Sequence, residues 1–128
     1  MKVTVRKTHF LFPAALFVSA APYQVTTILG SCVAVCLWDP VTKIGGINHY
    51  MLPLWNGEGL PSPKFGNIAI EKLVDKMVAL GAPKSRLVAK VFGGSESLEH
   101  GSSHFMIGYR NALLAKELLN DFSIPIIS

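Results

Sequence analysis

Cysteine is scarce in this sequence: two residues, Cys32 and Cys36, in 128. That excludes a disulfide-rich scaffold. A bridge between the two is excluded as well if their stretch is a strand. Their Cα atoms then stand about 13 Å apart, at about 3.3 Å per residue, and a disulfide needs less than about 7 Å. C-x₃-C has no second Cys or His pair at ligand spacing, and the four histidines are dispersed, so no metal and no other cofactor is expected. Charge is sparse too, at 16%, and the twelve basic residues form no run although the net charge is +4. Without a basic stripe, nucleic-acid binding is not expected, and a weak attraction to acidic partner surfaces fits better. Outside the N-terminus no stretch approaches the roughly 18 apolar residues of a membrane span, so stable membrane insertion is not expected. Repeats and long linkers are absent. With half its residues apolar, the chain reads as one globular domain over residues 1–128.

The N-terminus admits two readings. Lys2, Arg6 and Lys7 precede an apolar stretch from Phe10 to Val18, and Ser19-Ala20-Ala21 follows. That is the outline of a secretory signal peptide, and it keeps an exported protein of unknown role among the alternatives. Pro13 interrupts the stretch, however, and a pair of short domain strands explains it equally well.

Further along, VTTIL (25–29) and CVAVCLW (32–38) are β-rich runs on either side of Gly30-Ser31. Asp39-Pro40 is a turn signal, and KIGGINHYML (43–52) is a third apolar run, so a β-hairpin is expected. A Pro/Gly-rich loop fills 53–67, with Asn67 as a candidate helix cap. Ile68, Ile70, Leu73, Val74, Met77 and Val78 then recur at helical spacing, ending at Gly81 with Pro83 beyond. LVAKVF (87–92) reads as a strand, 95–106 as a polar loop, and 107–122 as a helix with Leu113, Leu114, Leu118 and Leu119 inward. Ile124–Ile127 opens a further strand. Strands followed by helix, strand, helix, strand make an α/β layered fold.

Centring the hairpin on Pro40-Val41 makes paired residue numbers sum to 81 and sets Cys32 opposite His49, where Cβ atoms stand about 4.5–5.5 Å apart. A one-residue slip would break that pairing. A thiol beside an imidazole is a minimal nucleophile–base pair. The Gly30-Ser31 turn can bring backbone N–H groups to a developing oxyanion. The competing reading makes Cys32 a buried core cysteine and His49 a satisfied core histidine. Cys36, between Val35 and Leu37, reads as a small hydrophobe.

VTTILGSCVAVCLWDP followed by GGINHYMLP, with Cys and His seventeen residues apart, resembles the signature of the CheD family, the chemoreceptor glutamine deamidases of bacterial chemotaxis. HFLFPAALFVSAAPYQ, KFGNIAIEKLVDKMVALGA, LVAKVFGG and IGYRNALLAKELL resemble its other segments in order, so the likeness spans nearly the whole chain. The resemblance implies a layered α/β/α sandwich and a cytoplasmic hydrolase with papain-like logic on an unrelated scaffold. By the same resemblance Cys32 matches the nucleophile, His49 the general base and acid, and Thr26 the third residue that orients the histidine. Thr27 is the alternative if the alignment slips by one. Gly30 and Ser31 would contact substrate. The implied reaction converts a glutamine of a chemoreceptor cytoplasmic domain to glutamate through a thioester, and a glutamyl methyl ester could follow the same route. A CheC-type phosphatase is implied as a further partner. The likeness also favours strands over a cleaved signal at the N-terminus.

Two departures stand out. Family members usually continue past the IPI strand with a Gly-Gly-Asn-rich turn and more strands, so C-terminal strands are expected to be lacking. That raises the alternative of a catalytically impaired module that docks the phosphatase or receptor. The glycine that follows the N-terminal proline in the family is Ala14 here. His100 and His104, four residues apart on a polar loop, are expected to be solvated rather than to hold a metal. Arg110 and Asn111, at the start of the second helix, fit either capping or contact with a receptor helix.

Overall fold

The alternation in CVAVCLW sets the centre of the molecule. In the computed structural model, which describes residues 7–96 and 106–128, the elements run β1 (Lys7–Phe10), β2 (Leu16–Ser19), β3 (Tyr23–Thr26), β4 (Val33–Trp38), β5 (Gly45–Asn48), α1 (Gly66–Leu80), β6 (Val88–Gly93) and α2 (Ile107–Asp121). Val33, Val35 and Leu37 of β4 share one face and are buried in a single apolar core with Leu73 and Met77 of α1 and Ala115 and Leu119 of α2. Both helices therefore lie on the same face of the sheet. Ala34, Cys36 and Trp38 alternate to the opposite face.

The sheet is antiparallel, in the order β2-β5-β4-β6. The expected C-terminal strand pairs in parallel with β6: Pro125 O accepts from Ala89 N–H, and Ile127 N–H donates to Ala89 O. The apolar stretch Phe10–Val18 enters two strands. β1 joins β3 in a parallel two-stranded ribbon, and β2 pairs with β5. The ribbon touches the sheet face away from the helices, where His9 and Tyr23 pack on Phe17 with ring centroids 4.1 and 4.9 Å apart. The mixed, layered α/β fold is thus as expected, but the α/β/α order is not: both described α-helices lie on one face of the sheet, and the β1–β3 ribbon covers the other. Among the described residues it comprises a helical layer, a sheet and this ribbon. None of the described helices is long and apolar enough to cross a membrane. His100, His104 and their loop lie outside the described residues, as do Lys2 and Arg6.

Helix ends follow the sequence at one end only. Gly81 caps α1 at φ +116°, a left-handed conformation that glycine adopts without steric cost, and its N–H reaches Met77 O and Val78 O. Asn67 is not the N-cap. Phe65 holds that place, and Asn67 lies within the helix, where its Oδ1 accepts from Trp55 N–H at 3.0 Å. In α2 the inward stripe is Gly108, Asn111, Ala115 and Leu119. Leu119 is buried as expected, Leu114 and Leu118 are half-buried, and Leu113 faces solvent.

The hairpin turn is four residues long, 40–43, not the two-residue turn on Pro40-Val41. Two-residue turns need positive φ at the first position, which proline cannot adopt. Asp39 organises the longer loop. Its carboxylate accepts from Val41 N–H and Thr42 Oγ1–H, and its main chain pairs with Lys43 and Ile44. Arg86 adds a two-pronged ion pair at 3.1 and 2.8 Å that holds the Asp39 carboxyl well below the usual carboxylate range.

Candidate active site

The loop length sets the register, and the register sets which side chains meet. Cys36 pairs with Ile47, Leu37 with Gly46, and Val33 with Tyr50, so paired numbers sum to 83 rather than 81. Extended one step, that register sets Met51 opposite Cys32. His49 becomes its diagonal neighbour on the same sheet face, within reach for long side chains. The ladder opens at this point, and Val35 N–H donates to the Asn48 side-chain Oδ1 at 2.8 Å. The expected direct pairing is therefore replaced by a diagonal one, on the face that also carries Ala34 and Cys36.

His49 is 2% exposed. Its Nδ1 lies 2.7 Å from Thr27 Oγ1, and the same hydroxyl donates to Leu11 O at 2.8 Å. A hydroxyl has one proton. Since that proton goes to Leu11, Thr27 can only accept from His49, so Nδ1 carries the hydrogen. Nε2 is left with its lone pair and, among the described residues, no partner. Burial also lowers the imidazole pKa and favours the neutral ring. The arrangement holds a histidine in the tautomer and charge state of a general base.

The threonine that does this is Thr27, not Thr26. Thr26 ends β3 opposite Phe10, where its side chain is exposed and its carbonyl accepts from Leu11 N–H at 2.9 Å. Side chains alternate along a strand, so the residue that turns inward is the next one.

Cys32 sits half-buried just before β4. Its turn is braced at three successive carbonyls. Gly30 O accepts from Ser95 N–H at 3.0 Å, Ser31 O from Asn111 Nδ2 at 2.9 Å, and Cys32 O from Gly94 N–H at 2.9 Å. Gly93 makes this approach possible. It sits at φ +99°, and a Cβ there would lie 2.2 Å from Cys32 O. Burial raises the Cys32 thiol pKa, against a hydrogen bond from its own backbone N–H. Among the described residues no hydrogen bond links the thiol to His49, and the two shifts, thiol upward and imidazole downward, both favour the neutral forms. Catalytic hydrogen bonds often tighten only with substrate bound. Gly30 and Ser31 are exposed beside the thiol. Burial pushes Cys36 up to about 11, and no described cluster of His, Cys, Asp and Glu gathers to hold a metal.

A family profile described as CheD chemotactic sensory transduction matches residues 51–128. A protein of Trichlorobacter lovleyi named probable chemoreceptor glutamine deamidase CheD is 52% identical over 124 residues, covering 97% of this chain and 76% of its own length. Proteins with the same name from Sulfurimonas denitrificans and, as CheD 1, from Anaeromyxobacter dehalogenans are 44% and 42% identical over 120 and 122 residues. These matches cover 93% and 95% of this chain and 77% and 71% of the relatives.

The chain belongs to the CheD family.

Sequence reasoning misses the roles of three parts of this CheD-family site. The Leu11 carbonyl fixes the Thr27 proton, yet any residue supplies a carbonyl. Asn48 fills the opened ladder. Asn111 is fully buried in the helical stripe 108-111-115-119, and its place in that 3-4-4 spacing was the available signal. Ala14 is a fourth feature, at φ +66°, with its N–H donating to His49 O at 2.8 Å. A left-handed conformation costs a non-glycine residue about 1–2 kcal/mol. Ala14→Gly is expected to relieve part of that strain and, after the entropy glycine adds to the unfolded chain, to raise Tm by about 2–4 °C. A thermal melt of the two proteins checks this.

Proposed function

We propose that this CheD-family chain is a protein-glutamine deamidase that acts on the cytoplasmic domain of chemoreceptors, with Cys32 as nucleophile, His49 as general base and acid, and Thr27 as the residue that orients His49. The carrying observation is the Thr27 hydroxyl between Leu11 O and His49 Nδ1, which leaves Nε2 as the base. The names of the relatives support the substrate class. They also disfavour the alternative of a silent docking module, as does an imidazole kept buried with a free nitrogen. Operation in the cytoplasm, where thiols stay reduced, belongs to the same proposal. A CheC-type phosphatase as second partner rests on the family resemblance.

His49 Nε2 takes the thiol proton as Cys32 Sγ attacks the carboxamide carbon. The resulting oxyanion faces the backbone N–H groups of the Gly30–Ser31–Cys32 turn. The imidazolium returns its proton to the nitrogen, and ammonia leaves. Water, deprotonated by Nε2, then attacks the thioester and releases glutamate and the thiol. A glutamyl methyl ester follows the same steps with methanol as leaving group. The test is to incubate the chain with a chemoreceptor cytoplasmic fragment and read ammonia release together with the amide-to-acid mass shift. Binding without either would overturn the proposal.

The pH dependence follows from the two pKa shifts. Neutral His49 is needed as base and is lost as pH falls through a value below the ordinary 6.5. The proton shared by the pair is needed for the leaving amine and is lost above the raised thiol value, beyond 9.0. A plot of kcat/KM against pH is therefore expected to be flat from about pH 6.5 to 9, falling outside that range.

A further inference from the structure

Asn111 lies on α2, far in sequence from Cys32 and His49, yet it is fully buried. Its side-chain nitrogen is 2.9 Å from Ser31 O and 3.0 Å from Met51 O. Both partners are carbonyls, which only accept, so the amide must present its two N–H groups to them. Ser31 immediately precedes Cys32, and Met51 follows His49 by two residues. The main chain of Asn111 adds a third link, its carbonyl accepting from Tyr50 Oη–H at 2.5 Å. Tyr50 in turn bridges Val33 in both directions, at 3.0 and 2.9 Å. One residue thus ties the turn before the thiol to the segment after the imidazole, just beyond the isolated Val33–Tyr50 bridge that ends the pairing of these two segments among the described residues.

We propose that Asn111 is a positioning residue that fixes the Cys32 turn relative to the His49 segment, so that the thiol and Nε2 meet in productive geometry. This rests on the Cys32–His49 reading above. It does not require Asn111 to touch substrate. Its second polar atom, Oδ1, is buried and unpartnered among the described residues, so all its hydrogen bonding is spent on the two carbonyls. Misplacement by about 1 Å can lower a rate by up to about 100-fold.

The test needs no receptor. The rate of iodoacetamide alkylation is measured across pH at Cys32 and Cys36 separately, by peptide mass spectrometry, in the unaltered chain and in Asn111→Asp, Asn111→Ser and His49→Ala. Asn111→Asp keeps the size and, when ionised, removes both donors. Asn111→Ser shortens the reach without adding charge and decides the matter if the aspartate variant loses its far-UV signal. The expected result is a fall of about tenfold or more at Cys32 near neutral pH. Its pH profile should lose the contribution of the His49 base and come to match that of His49→Ala, while Cys36 is unchanged. An unmoved Cys32 profile in a folded variant would overturn the proposal. So would parallel increases at both cysteines, which would mark general loosening of the fold. If His49→Ala leaves Cys32 unchanged in the parent chain, the Cys32–His49 reading itself fails, and this inference with it.

Discussion

Cys32→Ala is expected to lower ammonia release by about 10⁴-fold or more, in line with removal of a covalent nucleophile, and Cys36→Ala to leave it within about twofold. The two cysteines stand on the same sheet face, four residues apart in the chain, and differ in what surrounds them. Cys32 belongs to a turn whose three carbonyls are anchored, with its side chain half-buried beside the His49 face. Cys36 is inside β4, paired with Ile47 on one side and Lys90 on the other. Its thiol, pushed up to about 11, is almost wholly protonated at neutral pH and makes no hydrogen bond to a base among the described residues. Removal of its sulfur touches packing alone. Initial rates with a chemoreceptor fragment, in the presence of excess variant, separate the two cases.

Thr27→Val is expected to reduce kcat by about 10- to 150-fold, whereas Thr26→Val stays within about twofold of the unaltered chain. Valine keeps the shape of Thr27 and removes the oxygen that accepts from His49 Nδ1. In the transition state that ring is an imidazolium, so the lost hydrogen bond is charge-assisted and contributes about 1.5–3 kcal/mol. The ring also loses the constraint on its tautomer. Thr27→Ser retains the oxygen and is expected to recover most of the rate, which a purely steric role of the methyl group would not produce. Thr26 faces solvent, and its contribution to the site is a main-chain carbonyl that substitution leaves in place.

Local chemistry made much of this readable in advance. Gly81 with Pro83 beyond it marked the end of α1, apolar alternation marked β4, and the Asp39-Pro40 signal marked the hairpin. Cys32 and His49 drew attention as a thiol and an imidazole on the two arms of one hairpin, and the family resemblance supplied their roles, although the register expected for that hairpin was not the one observed. What escaped depends on contacts between distant segments or on single-residue register. Proline at position 40 forbids the shorter turn, and the two residues added to the loop shift every pair in β4 and β5. One step of strand alternation separates Thr26 from Thr27, and adjacent threonines give no local hint of which points inward. The parallel β1–β3 ribbon pairs residues sixteen apart, with no periodicity to announce it. Asn111 reads locally as an ordinary helix-start residue. Its task appears only when α2 packs across the Ser31 and Met51 carbonyls.

These pieces share one physical theme: the site is built where the regular sheet gives way. Strands β4 and β5 stop pairing between Cys36–Ile47 and Val33–Tyr50, and an Asn48 side chain takes over one ladder hydrogen bond. The freed segment gives His49 room to turn toward Thr27 and away from a cross-strand partner. Gly93 and Gly94 let the β6 end close on the Cys32 turn from the other side. Bulges and opened ladders recur beside active sites for this reason, since they re-aim a side chain without disturbing the core.

The most direct measurement is the mass of the chain itself during turnover. A reaction with a chemoreceptor fragment is quenched in acid, where thioesters persist, and the chain is digested and mapped. The expected finding is a glutamyl adduct on Cys32, equal to the receptor peptide less one ammonia, which is absent in Cys32→Ala and falls in His49→Ala, where the base for acylation is gone. Ammonia release by the unaltered chain with no adduct on Cys32, and persisting in Cys32→Ala, would contradict it.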